Sequence, residues 1–240
     1  MPARGEDAVR PEYQALVEGY PSLLRQFGVE LSAIDVEDLG VLMSAIEHVD
    51  RVLDALPRAA DRADFARVVV SRLDVDACDV DRDGIDVRGV DARLVTSLHA
   101  LREVAVRRGV REVLARLTAE TLANTERMRA VRDRATYLAC IEREGALCNE
   151  LALLIVPLPS APSAFLRAIA APANLMDKLL DLRRDHRNGE AAVDPSIGTH
   201  AWIAARMVRF AWAAARLHPS PLRFTAWGVG WLVRMARVVP

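Results

Sequence analysis

Apolar residues recur with a period near 3.6 along most of this 240-residue chain. One such run stands near the start of the chain and consists of Leu39, Leu42, Met43, Ile46, Val49, Val52, Leu53 and Leu56. Side chains at this spacing share one face of an α-helix, and that face has to be buried against other helices. The pattern therefore predicts an all-α fold.

Prolines and glycines divide the pattern into eight or nine helices. Besides the helix that ends near Leu56, we predict helices at about 11–27, 58–73, 91–107, 109–130, 134–156, 163–188, 197–217 and 221–237. With 52% hydrophobic residues, a chain of this length can bury a large core. We expect one domain, a helical bundle that covers residues 1–240.

The segment 74–91 departs from the helical pattern because seven aspartates lie between Asp74 and Asp91. We interpret this segment as a polar loop between two helices. Its residues 79–84, DVDRDG, match the opening of an EF-hand calcium loop, but Val90 stands where that loop needs a bidentate Glu. We therefore do not expect calcium binding in this segment.

Net charge and motifs restrict the class of function. The formal net charge of −1 argues against a nucleic-acid-binding protein with a broadly basic surface. The sequence contains no G-x-S-x-G, phosphate-loop or G-x-G-x-x-G motif. Hydrolase triads, nucleotide phosphate loops and dinucleotide folds therefore find no support.

Cysteine usage and the apolar segments bear on the compartment. The three cysteines show no C-x-x-C spacing and are too few for a disulfide framework. The N-terminal residues are charged from Arg4 onward, and the longest uncharged run, residues 151–166, is interrupted by three prolines. We expect a cytoplasmic protein without a secretory signal or a membrane-spanning helix.

Carboxylates with helical spacing form the clearest candidate site. Asp177, Asp181 and Asp185 recur every fourth residue, so they project from nearly one face of a helix. Like charges at this spacing cost a few tenths of a kcal/mol each, so we expect a positive partner. Mg²⁺ is one candidate, because it binds carboxylate oxygens together with substrate phosphates. The interleaved basic residues are the other: Lys178, Arg183, Arg184 and Arg187.

A second acidic helix would hold a diphosphate from the opposite side. Asp50 and Asp54 are again four residues apart, on the early helix described above, and Glu47 precedes them. Alone, such a pair is common on a solvated helix face. Together with the row of three aspartates it is also consistent with a metal site, and both interpretations remain open.

These motifs resemble those of the class I all-α isoprenoid synthases, in particular the squalene/phytoene synthase branch. The second motif of that family reads approximately A-x-Q-L-T-N-I-L-R-D-x-x-x-D-x-x-x-G. The segment APANLMDKLLDLRRDHRNG follows it, with Asp181, Asp185 and Gly189 in register. Asp50 and Asp54 match the first motif, D-x-x-x-D. The resemblance covers roughly residues 38–190.

A third segment, YLACIEREGALCNELALL, is similar to the family's Y-C-x-x-V-A-G helix, with Cys140 and Gly145 in register. Three residues depart from the family pattern, namely Ala139 at the tyrosine position, Glu144 at an alanine position and Leu180 at an arginine position.

The resemblance implies an Mg²⁺-dependent terpene synthase or prenyl synthase that ionises an allylic prenyl diphosphate to a carbocation in an apolar pocket. It implies that the metal ligands are Asp50, Asp54, Asp177, Asp181 and Asp185, of which all but Asp177 are also the expected catalytic residues. The expected diphosphate contacts are Arg51, Lys178, Arg184 and Arg187. The expected pocket residues are Tyr137, Trp202, Phe210 and Trp212.

The end of the chain favours other functions. After Asp194 there is no acidic residue, whereas six arginines and all four tryptophans lie in this part. This composition is typical of a peripheral membrane contact, although the Ala-rich segment also suits tight helix packing. Two alternatives to an enzyme therefore remain: a catalytically inactive helical interaction protein with the same fold, and a membrane-surface protein.

Overall fold

The computed structural model describes residues 11–74 and 92–238, and these form nine α-helices without a β-strand. The helices are α1 (Pro11–Arg25), α2 (Ala33–Ala55), α3 (Ala59–Asp74), α4 (Ala92–Arg108), α5 (Arg111–Ala130), α6 (Arg134–Ile155), α7 (Ser160–Asn188), α8 (Ile197–Ala215) and α9 (Pro221–Val238). The predicted all-α fold is confirmed. The predicted Asp-rich loop, including residues 79–84, lies outside the described residues apart from Asp74, which ends α3.

Helix boundaries lie within a few residues of the predicted ones, and the differences have local causes. Helix α7 begins at Ser160 rather than at 163, because Pro162 lies in the first turn, where a missing N–H costs no hydrogen bond. Helix α2 begins at Ala33, where Ser32 and Asp35 form a capping box. Helix α7 ends at Asn188, and the C-cap residue Gly189 has a φ of 77°, which favours glycine.

Helix α6 is central to the bundle, because α2, α4, α5 and α7 all pack against it. One apolar cluster joins α2, α3, α4 and α5 to the last turns of α6. A second cluster joins the first half of α6 to the end of α5 and to α7 and α8. Between Ile141 of the second cluster and Leu151 of the first, the same stripe of α6 carries Glu144 and Cys148. A polar region therefore interrupts the core along α6.

Helices α6 and α7 approach each other closely at Gly145. A Cβ atom at this position would lie 2.5 Å from the carbonyl oxygen of Ala170 and 3.0 Å from Cβ of Asn174. Because only glycine leaves room for this approach, the α6 stripe and the middle of α7 are held in direct contact.

A third cluster ties the end of the described chain to α1 and α7. His218 lies among the rings of Phe27, Phe165 and Phe224, with ring centroids 5.0 to 5.4 Å from its own. Its Nδ1 accepts a hydrogen bond from the backbone N–H of Ser220, and burial lowers the pKa of the imidazole.

None of the helices within 11–74 and 92–238 is long and apolar enough to cross a membrane.

Candidate functional site

The row of carboxylates on α7 has positive partners on the same helix. Lys178 Nζ lies 3.3 Å from Oδ2 of Asp185, and Arg184 donates a hydrogen bond of 2.7 Å to Asp181. Arg184 is also 3.6 Å from Oδ1 of Asp185, which is too far for a hydrogen bond. Asp185 is buried, with 2% of its surface exposed, so its charge depends on these neighbours. Basic residues interleaved in the row thus provide the positive partners that its spacing predicts.

Lys178 is enclosed by carboxylates of two helices. Its side chain is 19% exposed. Burial alone would lower its pKa, but the negative charges of Glu144, Asp185 and Asp177 outweigh burial and raise the pKa above its usual value. The ammonium group therefore stays charged at every physiological pH.

The two other aspartates of the row are held less favourably. Burial raises the pKa of Asp181, and the charge of Asp185 raises it further, whereas Arg184 opposes the rise. Desolvation of the carboxyl group by nearby protein atoms also raises the pKa of Asp177. The side chain as a whole is exposed, however, and its contact with water limits the rise. The row therefore carries more negative charge than its two cations fully compensate.

Glu144 of α6 is part of the same site. Thr125 of α5 donates a hydrogen bond of 3.1 Å to its Oε1, and the amide of Asn174 on α7 donates one of 3.0 Å to Oε2. The same amide nitrogen donates to the carbonyl oxygen of Ile141 at 2.7 Å. Glu144 is therefore fixed by side chains from both flanking helices.

Helix α2 brings the second acidic motif to this region. Burial, followed by the charges of Glu144 and Asp50, raises the pKa of the Cys148 thiol, and Lys178 opposes the rise. Asp50 of α2 and Lys178 of α7 therefore both act on one residue of α6. Burial and then the charge of Asp54 on α2 raise the pKa of Glu190, which follows the end of α7, and the charge of Asp185 adds to the effect.

Two of the α2 candidate residues are paired within the protein. Asp54 forms an ion pair with Arg129 of α5, and Arg51 forms one with Glu47. Glu47 is fully buried, yet its Oε2 accepts no hydrogen bond, and Oδ1 of buried Asp185 accepts none either. Buried carboxylate oxygens normally have a donor. Each of the two acidic helices therefore carries one buried carboxylate oxygen that lacks a hydrogen-bond donor.

The predicted metal ligands do not form a preassembled metal site. Within the described parts of the chain, no three His, Cys, Asp or Glu side chains are grouped closely enough to hold a metal ion. Instead, Asp54, Asp181 and Asp185 are paired with Arg129, Arg184 and Lys178. A metal ion at these carboxylates would have to replace the resident cations.

The remaining predicted diphosphate contact, Arg187, lies beside an open depression. The depression is lined by Arg183, His186, Arg187 and Pro195. Arg183 and Arg187 each lie two residues after an aspartate of the row, a rotation of about 200° around α7, so they face away from the row. The depression is therefore separate from the carboxylates.

The four predicted pocket residues are found in different environments. Tyr137 is buried, and burial raises the pKa of its hydroxyl. Phe210 is partly buried, with the guanidinium of Arg206 5.3 Å from its ring centroid. Trp202 and Trp212 are 53% and 64% exposed, because α8 packs through its opposite face. The side chains of Trp202 and Trp212 therefore lie outside the interior of the bundle.

Sequence reasoning did not assign a role in the site to Glu144 or Asn174. A signal for Glu144 was present, because it shares a stripe with Tyr137, Ile141 and Cys148 at spacings of four, three and four residues. A charged residue within an otherwise apolar stripe indicates a polar partner on a neighbouring helix. Nothing in the sequence identified Asn174 as that partner.

Comparisons with known proteins do not decide the family. No protein-family model matches the chain, and no curated protein and no solved structure matches it. The likeness to isoprenoid synthases therefore rests on the motifs quoted above.

Proposed function

We propose that this protein is an Mg²⁺-dependent class I isoprenoid enzyme, a terpene synthase or prenyl synthase that ionises an allylic prenyl diphosphate. The observation that carries the proposal is the pair of buried carboxylate oxygens without donors, one at Glu47 on α2 and one at Asp185 on α7. A buried anionic oxygen without a partner is costly, and a bound cation removes that cost.

Both acidic helices carry further carboxylates, which are the ligands that Mg²⁺ prefers. The ligands would be Asp177, Asp181 and Asp185 on α7 together with Asp50 and Asp54 on α2. Mg²⁺ bound there would neutralise the charge that develops on a departing diphosphate.

The basic residues of the chain would hold the diphosphate itself. The side chain of Arg184 is 54% exposed, so it can turn from Asp181 to a phosphate oxygen. Lys178 remains charged in its carboxylate surroundings and supplies a second donor. Arg187, the remaining expected contact, lines a depression on another face of α7. The apolar cluster around Tyr137 would exclude water from the reacting carbon.

Thermal stability with ligands tests the proposal. We expect Mg²⁺ and a non-hydrolysable farnesyl thiodiphosphate to raise the melting temperature only when both are present. At about 100 times Kd, binding to the native state adds about 2.7 kcal/mol, which is several degrees. The shift should disappear in Asp181→Ala. Asp64→Ala is the matched control, because Asp64 also pairs with an arginine three residues later, Arg67, but on α3.

Turnover provides the second measurement. We expect diphosphate release from geranyl, farnesyl or geranylgeranyl diphosphate, dependent on Mg²⁺ and lost in Asp181→Ala. A melting shift of equal size in the wild type and Asp181→Ala, or no shift and no diphosphate release with any of the three, would contradict the proposal.

A second candidate is a catalytically inactive interaction protein that keeps the helical fold. The observation that favours it is the neutralisation of Asp185 and Asp181 by Lys178 and Arg184, which needs no metal. For such a protein, Mg²⁺ and the thiodiphosphate would change the melting temperature of neither the wild type nor Asp181→Ala.

A further inference from the structure

Helix α8 has one face packed into the bundle and one face open to solvent. Thr199, Ile203 and Ala214 form the packed face and are buried. Seven of the eleven large hydrophobic side chains that are exposed in the described residues lie from Ile197 to Val229, on and around α8 and α9. Exposed apolar side chains concentrated in one region, rather than scattered singly, indicate an interaction surface.

The open face of α8 consists of two parallel stripes, which together we name the α8 outer face. The apolar stripe has spacings of four, three and four residues and consists of Ala201, Ala205, Val208 and Trp212, all exposed. Beside it runs an exposed stripe of Trp202, Arg206, Arg209, Ala213 and Arg216. Val208 is 62% and Trp212 64% exposed, so the largest side chains of the apolar stripe lack cover within the described chain.

The charge of the α8 outer face has one sign. No acidic residue follows Asp194 in the sequence, so α8 and α9 contain arginines but no carboxylate side chains of their own. Arg206 pairs with Glu142 of α6, and the guanidinium of Arg216 lies 5.3 Å from the ring centroid of Trp212. Arg209 stands exposed between them. The surface therefore presents positive charge directly beside an apolar stripe.

We propose that the α8 outer face docks on the surface of a lipid bilayer that contains anionic lipids. Trp212 and Val208 would enter the boundary between headgroups and acyl chains, while Arg209 would reach up to the lipid phosphates. Tryptophan suits this depth because one edge of its ring is apolar and the other donates a hydrogen bond.

Charge selects the bilayer over two other occupants. A second copy of this chain would bring the same positive face to the interface, and the two sets of arginines would repel each other. A nucleic acid would match the arginines but would offer no apolar counterpart to Trp212 and Val208. Anionic lipids match both stripes at once. The docking does not depend on the proposed enzyme activity.

Cosedimentation with vesicles tests the docking of the full chain. We expect binding to phosphatidylcholine vesicles that contain phosphatidylglycerol, much weaker binding to phosphatidylcholine alone, and a steep loss of binding at high salt. The tryptophan emission should shift to shorter wavelength on binding. We expect Arg209→Gln to weaken binding about fivefold, and Arg116→Gln, an exposed arginine of α5, to leave it unchanged.

A matched pair of valines separates the apolar stripe from general hydrophobicity. Val208 on α8 and Val106 on α4 are 62% and 57% exposed. We expect Val208→Ala to weaken vesicle binding severalfold and Val106→Ala to have no effect, with unchanged melting temperatures for both. Trp212→Ala should weaken binding more than Val208→Ala.

Three results would overturn the proposal. One is the absence of binding to either vesicle, and another is equal binding to neutral and anionic vesicles. The third is equal weakening by the α8 substitutions and their controls. Self-association that Trp212→Ala abolishes, without vesicle binding, would instead assign the α8 outer face to a second copy of the chain.

Discussion

Asp38 and Asp185 are both buried aspartates, 1% and 2% exposed, but the protein neutralises them differently. Asp38 on α2 accepts hydrogen bonds on both oxygens, from Arg107 and from Arg108 of α4. Asp185 on α7 has Lys178 at 3.3 Å from one oxygen and no donor at the other. A carboxylate with every acceptor satisfied stabilises the fold, whereas one with an open acceptor retains capacity for a ligand.

Replacing each aspartate by asparagine gives the most direct test of this difference. Asp38→Asn should lower the free energy of unfolding by about 3 kcal/mol, because it leaves Arg107 and Arg108 beside a neutral, buried group. Arg107 is 55% exposed, which keeps the loss at the low end for a broken buried pair. Urea unfolding at neutral pH measures the change.

Asp185→Asn should cost less than about 1 kcal/mol, because Lys178 keeps two other carboxylates nearby and an incompletely bonded charge is removed. The same variant should lose the response to Mg²⁺ with thiodiphosphate. If Asp185→Asn destabilised the protein as much as Asp38→Asn, both aspartates would have a structural role, and Asp185 would not be a carboxylate kept open for a ligand.

The contact between α6 and α7 fixes the arrangement of the candidate site, and Gly145 permits that contact. Gly145→Ala should cost about 2 kcal/mol, because the new Cβ would lie 2.5 Å from the backbone oxygen of Ala170, which cannot move by itself. Gly40→Ala in α2 is the control, since its Cβ meets nothing within 4 Å. It should stabilise the protein by roughly 0.5 to 1 kcal/mol.

Both glycine variants are compared by urea unfolding. Equal effects of the two substitutions would mean that α7 can shift away from α6 at little cost. The position of Asn174 against Glu144 would then not be fixed by packing.

The fold was predictable because its determinants are local. Apolar residues with helical spacing define each helix, and Pro57, Gly189 and the prolines of residues 157–162 mark where helices end or begin. The largest error, the start of α7, came from treating Pro162 as a helix breaker when it lies in a first turn. Each of these signals lies within a few residues of its effect.

The candidate site was predictable only where it is local as well. The pairing of Asp181 with Arg184 and of Asp185 with Lys178 follows from spacing within α7. The contact between Glu144 and Asn174 joins residues 30 positions apart. It depends on which helices approach each other, and the apolar spacing of a single helix does not contain that information.

The smallest expected effect is the pH dependence of stability, and its sign differs between the two regions. The hydrogen bond from Ser32, with the charge of Arg108, lowers the pKa of Asp35 on α2 below its ordinary 3.8. The ionised carboxylate of Asp35 therefore stabilises the fold above pH 3.8, and this stabilisation is lost as the pH falls below that value. Asp181 on α7 has a raised pKa, so its native state binds more protons than the unfolded chain, and stability is lost as the pH rises above 3.8.

Single asparagine variants separate the two contributions. At neutral pH, Asp35→Asn should destabilise the protein and Asp181→Asn should stabilise it, each by less than about 1 kcal/mol, because both side chains keep some contact with water. Both differences from the wild type should shrink as the pH falls well below 4. Urea unfolding at a series of pH values measures them. Destabilisation by Asp181→Asn at neutral pH would show that Arg184 and Lys178 already neutralise the row, and that no uncompensated charge remains there to attract a cation.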